Sequence, residues 1–216
     1  MVLLGPDKLS ASVHPSEDDG RQPFVVGDRA KATHTNPTCL PDEFLLDLQP
    51  IFQIRHPGLM FPSMVRADQK AIPGVKASDL KCAAMLTLRW SRALYDWYDN
   101  NTQAVKPRVI DADDIMNSPV AVRKLCVQTG LDPDAVQYKW DTWEEKDPMK
   151  ATFLSTIRTS NGILPGMDSR NFDIEEERTK WKAEFGDEEG EHLTRLVYAA
   201  MPDYEYLLSR RTQAET

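Results

Sequence analysis

The sequence predicts an α/β fold, a small parallel sheet with a predominantly helical periphery. Ile51-Phe52-Gln53-Ile54-Arg55 and Pro107-Arg108-Val109-Ile110-Asp111 are short apolar runs bounded by turn residues, the pattern of buried strands. Each leads to helix-start chemistry, His56-Pro57 after the first and Ser118-Pro119 beyond the second. Between them, Leu80, Ala83, Ala84, Leu86, Trp90, Ala93, Leu94 and Trp97 recur at three- and four-residue steps, one apolar face of a helix over 77–100. Strand, helix, strand is the unit from which parallel sheets are assembled.

A chain of 216 residues can bury a full core, and one domain over 1–216 is expected. Met1 to Gly20 turns Ser/Asp/Glu-rich after a short apolar patch, so 1–22 reads as a flexible arm. Cys39, Cys82 and Cys126 are widely spaced with no Cys-x-x-Cys pair, which argues against a disulfide framework or zinc knuckle. The 26 basic and 34 acidic residues leave a net charge of −8 without a Lys/Arg stripe, which excludes an obvious nucleic-acid footprint. No apolar run approaches membrane-spanning length and the N-terminus lacks a signal-peptide pattern, so a cytoplasmic location without membrane contact is expected.

In chain order, Phe24–Gly27 reads as the tail of a small strand, and Arg29, Lys31 and His34 gather in the polar stretch after it. Such a group can meet an anion or a carbonyl, or simply face solvent. Pro37 to Asp42 reads as a turn and Glu43 to Leu48 as a short helix delivering the chain to the strand at Ile51. The helix after Pro57 carries Ser63 in its second turn and ends before Pro73-Gly74. The following helix is aromatic near its end, with Trp90, Tyr95, Trp97 and Tyr98. These rings either pack the core or line a substrate cavity, where a Tyr hydroxyl or Trp N–H needs a polar partner.

Asp113 and Asp114 follow the second strand without a third oxygen ligand at diagnostic spacing, and no histidine has a ligand partner at i+2 or i+4, so no metal is expected. Ser118 caps and Pro119 opens a helix that Gly130 ends. Cys126 on that helix reads as a small buried hydrophobe. Later, Glu175–Phe185 and Glu188–Met201 are amphipathic helices, with Pro202 interrupting the second and Tyr204–Arg211 adding a turn.

Chemistry concentrates where the first strand meets its helix. Residues at the carboxyl ends of strands border the usual ligand crevice of an α/β sheet. A helix N-terminus there offers free N–H groups, and Arg55 adds a bidentate donor. His56 beside a cation is expected to have a lowered pKa, which suits a neutral base or a cap of the turn. Glycine-rich phosphate loops, dinucleotide fingerprints, His-Glu-x-x-His and nucleophile elbows are all absent from the sequence.

The strand Ile51–Arg55 with His56-Pro57, and Ser63 eight residues past Arg55, resembles the segment with which sulfotransferases grip the 3'-phosphate of their sulfate donor. Asn36–Pro41, Tyr95-Asp96-Trp97-Tyr98, Val109–Pro119 and Gly130–Trp140 resemble, in the same order, parts of the fungal sulfotransferase-like P-loop proteins. The resemblance covers 24–140 well and the C-terminus loosely. It implies a reduced P-loop NTPase/sulfotransferase-like three-layer core. Leu4 to Ser10 resembles an arm that follows the phosphate loop in that family, so the first strand and loop are expected to be missing.

A scaffold lacking that loop implies loss of the main electrostatic catalyst of sulfuryl transfer. The expectation is a cofactor-free cyclisation or isomerisation, including a Diels–Alder-type closure, of an apolar small molecule in fungal secondary metabolism, accelerated by shape and a placed donor. Arg55, His56, His34 and Asp113 are the donor and acid/base candidates; Ser63 and Tyr95 orient the substrate, and Trp90, Trp97 and Tyr98 form its wall. A non-catalytic binding protein is the alternative and a sulfotransferase a further one. An apolar face left by the missing module implies a homodimer in either case.

Overall fold

The computed structural model describes residues 34–101 and 105–214. The expected arm, the strand at Phe24–Gly27, Arg29 and Lys31 lie outside the described residues. The architecture is α/β and mostly helical, around a two-stranded parallel sheet. Strand β1, Ile51–Ile54, pairs with β2, Arg108–Asp111, in the register Ile51 to Arg108 through Ile54 to Asp111. Burial grows along both strands toward their carboxyl ends, where Ile54, Val109, Ile110 and Asp111 are shut from solvent. On the other side of β2, Val109 makes a parallel bridge to Arg211 and its carbonyl accepts from Thr212 N at 2.8 Å.

The helices opened by Pro57 and Pro119 and the two long ones near the C-terminus fall in the expected order, while the helix at 112–117 stands where a loop was expected. A short α1, Asp42–Leu46, precedes β1, and α2, Pro57–Ala71, follows it. His56 is the N-cap of α2, its ring Nδ1 accepting from Gly58 N at 3.1 Å, with Pro57 in the first helical position. After β2 come α5, Ala112–Asn117, and α6, Pro119–Thr129, the latter capped by Ser118 and closed by Gly130 at φ 75°. A φ in that range is the left-handed region, where only glycine is unstrained. Two short helices, α7 at Pro148–Phe153 and α8 at Ser155–Thr159, lead to a pair of long ones, α9 at Ile174–Phe185 and α10 at Asp187–Leu208.

Two longer elements also depart from the sequence expectation. The single helix over 77–100 is two, α3 at Leu80–Met85 and α4 at Arg89–Asn100. The break lets Leu86 enter one core cluster and Leu88 the other, both nearly fully buried, and Thr87 Oγ1 accepts from Arg89 N at 3.1 Å. Leu80, expected on the apolar face, is 87% exposed. Conversely, α10 runs unbroken through Pro202. Val197, Ala200, Tyr204 and Leu207 are buried on both sides of the proline, and that burial offsets a backbone penalty of about 3 kcal/mol.

The core has two clusters joined by α10. Phe61, Val65, Leu86, Trp181, Leu193 and Val197 pack between α2, α9 and α10. Ile54, Leu88, Tyr95, Val109, Tyr204 and Leu207 pack against the sheet. The first depends on a close helix approach at Gly190, where an added Cβ would stand 2.6 Å from Lys182 N and 2.8 Å from the Trp181 carbonyl carbon. Gly190→Ala is therefore expected to destabilise by about 1–3 kcal/mol, although alanine favours helix by nearly 1 kcal/mol. A urea midpoint at or above wild type would contradict this packing.

Candidate functional site

Because β1 and β2 are parallel and in register at Ile54 and Asp111, their carboxyl ends present side chains to one region. β1 delivers Arg55 and His56; β2 delivers Asp111 and, through α5, Asp113. A crevice of about 270 Å³ opens there, lined by Gln53, Arg55 and Ala112. Its other walls are mostly apolar, Ile115 and Met116 from α5, Trp140 and Ile157, and the loop residues Ile163, Leu164 and Met167, with Thr156 and Ser160 among them. Arg55 Nη2 donates to Met167 O at 3.1 Å, while its Nε is shielded from water and has no partner. An unmet guanidinium donor beside an apolar chamber suits an anionic or carbonyl oxygen on an otherwise apolar molecule.

The loop that forms one wall is fastened to α5. Ser169 N and Oγ donate to Asp113 Oδ2 at 3.0 and 2.5 Å. Arg170 Nη2 donates to Asp168 Oδ2 at 2.6 Å and to Asn117 Oδ1 at 3.0 Å. The Arg170 guanidinium holds the Asp168 carboxyl down at about 2.

Behind the crevice lies a buried polar cluster. Asp111 is 2% exposed, accepting from Asp113 N at 2.8 Å and from Tyr204 Oη at 3.1 Å. Burial raises the Asp111 pKa, and the Asp113 charge adds to the rise. The Tyr204 hydroxyl is pushed far up by burial and by Asp111, so it stays protonated and acts as a donor. His56 stands among Phe172, with ring centroids 4.5 Å apart, and Tyr204, at 5.3 Å. Its Nδ1 is occupied as an acceptor, so the neutral ring carries its proton on Nε2, the nitrogen left for acid/base work.

The His56 pKa is lowered as expected from the sequence, but for another reason. Burial disfavours the imidazolium, and the Asp113 charge opposes that shift without cancelling it. A group with a depressed folded pKa contributes stability above its unfolded value, near 6.5, that is lost as pH falls through the folded value. Wild type should therefore lose stability below about pH 6.5, and His56→Gln should flatten that part of the profile. Urea midpoints across pH 4.5–7.5 test this; parallel profiles for the two proteins would contradict it.

Of the residues singled out from sequence, Arg55, His56 and Asp113 lie at this end of the sheet, but only Arg55 lines the crevice, while His56 borders a separate hollow beside Phe172 and Tyr198. Ser63 lies exposed on α2. None of Trp90, Tyr95, Trp97 and Tyr98 lines the Arg55 crevice. Trp90 is a surface ring under Arg89, 4.5 Å from its guanidinium, and donates to Ala84 O at 3.3 Å. Tyr98 Oη donates to Leu45 O at 2.7 Å, and Trp97 Nε1 donates to Thr35 Oγ1 at 2.9 Å. Both fasten the segment from Thr35 to α1 onto α4. His34 is exposed beside that segment, and Tyr95 packs edge-on to Phe52 at 5.6 Å. Sequence reading missed Tyr204, Ser169 and Trp140. A carboxylate ending a buried strand, Asp111, was the available signal that polar partners must converge there.

A helical α/β core whose parallel strands end at an arginine and an apolar crevice is consistent with a sulfotransferase-like core. Sequence comparison points the same way. The chain is similar to the protein named sulfotransferase ppzF of Metarhizium rileyi, 37% identical over 213 residues that cover 90% of this chain and 63% of the relative. It is also similar to sulfotransferase ppzF of Metarhizium majus, 38% identical over 201 residues, 85% of this chain and 59% of the relative. Both relatives carry the name sulfotransferase. The chain spans about three fifths of the length of the curated relatives it matches. No family model and no solved structure matches it. No described helix is long and apolar enough to cross a membrane.

Proposed function

We propose that this chain is a sulfotransferase-class protein that seats an apolar, hydroxyl-bearing small molecule in the crevice at the carboxyl ends of β1 and β2. The observation that carries the reading is the apolar chamber of about 270 Å³ with Arg55 as its one cationic wall residue. The acceptor hydroxyl oxygen attacks the sulfur of a phosphosulfate donor, the S–O bond to the donor's phosphate breaks and that phosphate leaves with the electron pair, and the hydroxyl proton is released to solvent. The unpartnered Arg55 Nε fits an oxyanion of such a donor, as the resemblance of the Ile51–Ser63 segment implies. Arg55 holds the anion, Met167 and Trp140 exclude water, and the Asp113–Ser169 contact keeps the wall in place. The relatives' printed name favours this reading over the cofactor-free one reached from sequence.

The cofactor-free cyclisation remains the second reading, favoured by the titratable cluster of His56, Asp111, Asp113 and Tyr204 bordering the same strand ends. One experiment separates them. The chain is incubated with aryl alcohols and with apolar extracts, with and without the phosphosulfate donor, and products are read by mass, while the part of the tryptophan fluorescence that Trp140→Phe removes reports binding. A donor-dependent sulfuryl mass gain, with Arg55→Ala binding donor about ten- to a hundredfold more weakly, is expected. Mass-neutral conversion without donor would establish the second reading. A Trp140-dependent fluorescence indifferent to every apolar ligand, read as the difference between wild type and Trp140→Phe, would remove both.

A further inference from the structure

A second cleft, of about 650 Å³, lies at the other end of the sheet, around the amino end of β2. We propose that it binds a compact polyanion, a small molecule carrying two or more phosphate groups. Five cations line it, Lys106, Arg108, Lys124, Arg210 and Arg211, against one carboxylate, Asp99. This concentration stands out in a chain with 34 acidic and 26 basic residues, and such a local positive field draws anions from solution.

The cations arise from three separate parts of the fold: the entry to β2, the middle of α6 and the segment after α10. Tertiary folding, not a run of basic residues, brings them together. Two are already anchored. Arg211 Nε pairs with Asp114 Oδ2 at 2.9 Å, and Arg210 lies 3.5 Å over the Tyr206 ring and donates to Tyr206 O at 3.2 Å. The backbone between them and β2 is fixed by Thr212 N on Val109 O, and Thr212 Oγ1 donates to Gln128 Oε1 at 3.1 Å.

Among the described residues, Lys106, Arg108 and Lys124 make no ion pair. Arg108 Nε is shielded from water and without a hydrogen-bond partner. A shielded guanidinium donor with two free ammonium groups around it is a partly prepaid anion site, since an oxyanion there satisfies a donor that is otherwise unmet. The one aromatic residue of the lining, Tyr95, is buried, so no stacking platform for a nucleic-acid strand is offered, and the cleft volume suits one small molecule.

The test is calorimetric titration of the full chain with inorganic pyrophosphate, and with orthophosphate as the single-group control. Pyrophosphate is expected to bind at least tenfold more tightly than orthophosphate, and Lys106→Ala/Lys124→Ala to weaken it at least tenfold while circular dichroism stays unchanged. Arg108→Gln provides a second variant with the same expected direction. Arg55→Ala, altered at the opposite end of the sheet, should retain the lysine-dependent binding. Absence of pyrophosphate binding, equal affinity for the two anions, wild-type affinity in the double-lysine variant, or loss of binding in Arg55→Ala would each overturn the proposal.

Discussion

Replacing Trp181 with alanine is expected to lower the free energy of unfolding by about 3–5 kcal/mol, the usual cost of truncating a buried large aromatic. Trp181 is 0% exposed and packs in the cluster formed by α2, α9 and α10. Gly190 lets α10 approach the backbone at this very residue, so the helices cannot close over the vacancy without a clash. Trp181→Phe should cost clearly less, because it keeps most of the ring volume and removes an indole N–H that has no partner. The truncation should also be felt at the candidate site. Phe172 lies 6.4 Å from Trp181 and 4.5 Å from His56, ring to ring, and its loosening would expose His56 and let its pKa rise. Urea unfolding at constant m-value measures the first effect and proton NMR of the imidazole the second. A loss under about 1 kcal/mol would show that this cluster is not the centre of stability.

Asp111→Ala is expected to be the next most damaging change, by a different physical route. It leaves the Tyr204 hydroxyl and the Asp113 amide without their acceptor in a buried place, at about 1–3 kcal/mol for each orphaned group. Asp111→Asn keeps an acceptor oxygen and loses a charge whose burial raises its pKa, so it should cost much less and be relieved at neutral pH. The sign follows from that raised pKa: the carboxylate form is the unfavourable one in the fold, and its contribution to stability declines as pH rises through the folded value. Tyr204→Phe combined with Asp111→Ala should cost less than the sum of the two single changes, since Tyr204→Phe removes the hydroxyl that Asp111→Ala strands. Strict additivity in that cycle would mean that the 3.1 Å hydrogen bond contributes nothing.

Much of the framework is legible in the sequence because it rests on local chemistry. Pro57 and Pro119 at helix starts, Gly130 at a helix end and the two apolar runs each dictate their own backbone without reference to distant residues. The helix break at Leu86–Leu88 was not legible, since its residues continue the helical spacing and only the existence of two core clusters draws them apart. Pro202 misled in the opposite sense: a strong local breaker was overruled by burial on either side. Arg55, His56 and Asp113 stand near strand ends, as their places in the sequence indicate, yet of the three only Arg55 lines the apolar crevice. The aromatic residues of α4 were not assignable, because a ring that fastens a segment and a ring that lines a cavity leave the same pattern in a helix.

By itself the sequence determined where the two strands run, where the helices opened by Pro57 and Pro119 begin, that an arginine follows the first strand, and that the chain carries an excess of acid. Tertiary structure alone decided the rest. Tyr204 reaches Asp111 across 93 positions of sequence, Ser169 reaches Asp113 across 56, and the basic cleft takes its cations from three distant segments. Caps and strand ends are set by forces acting within a few residues. Hydrogen bonding in a buried place, and the field of a charge cluster, depend on distances that the chain fixes only once it has folded.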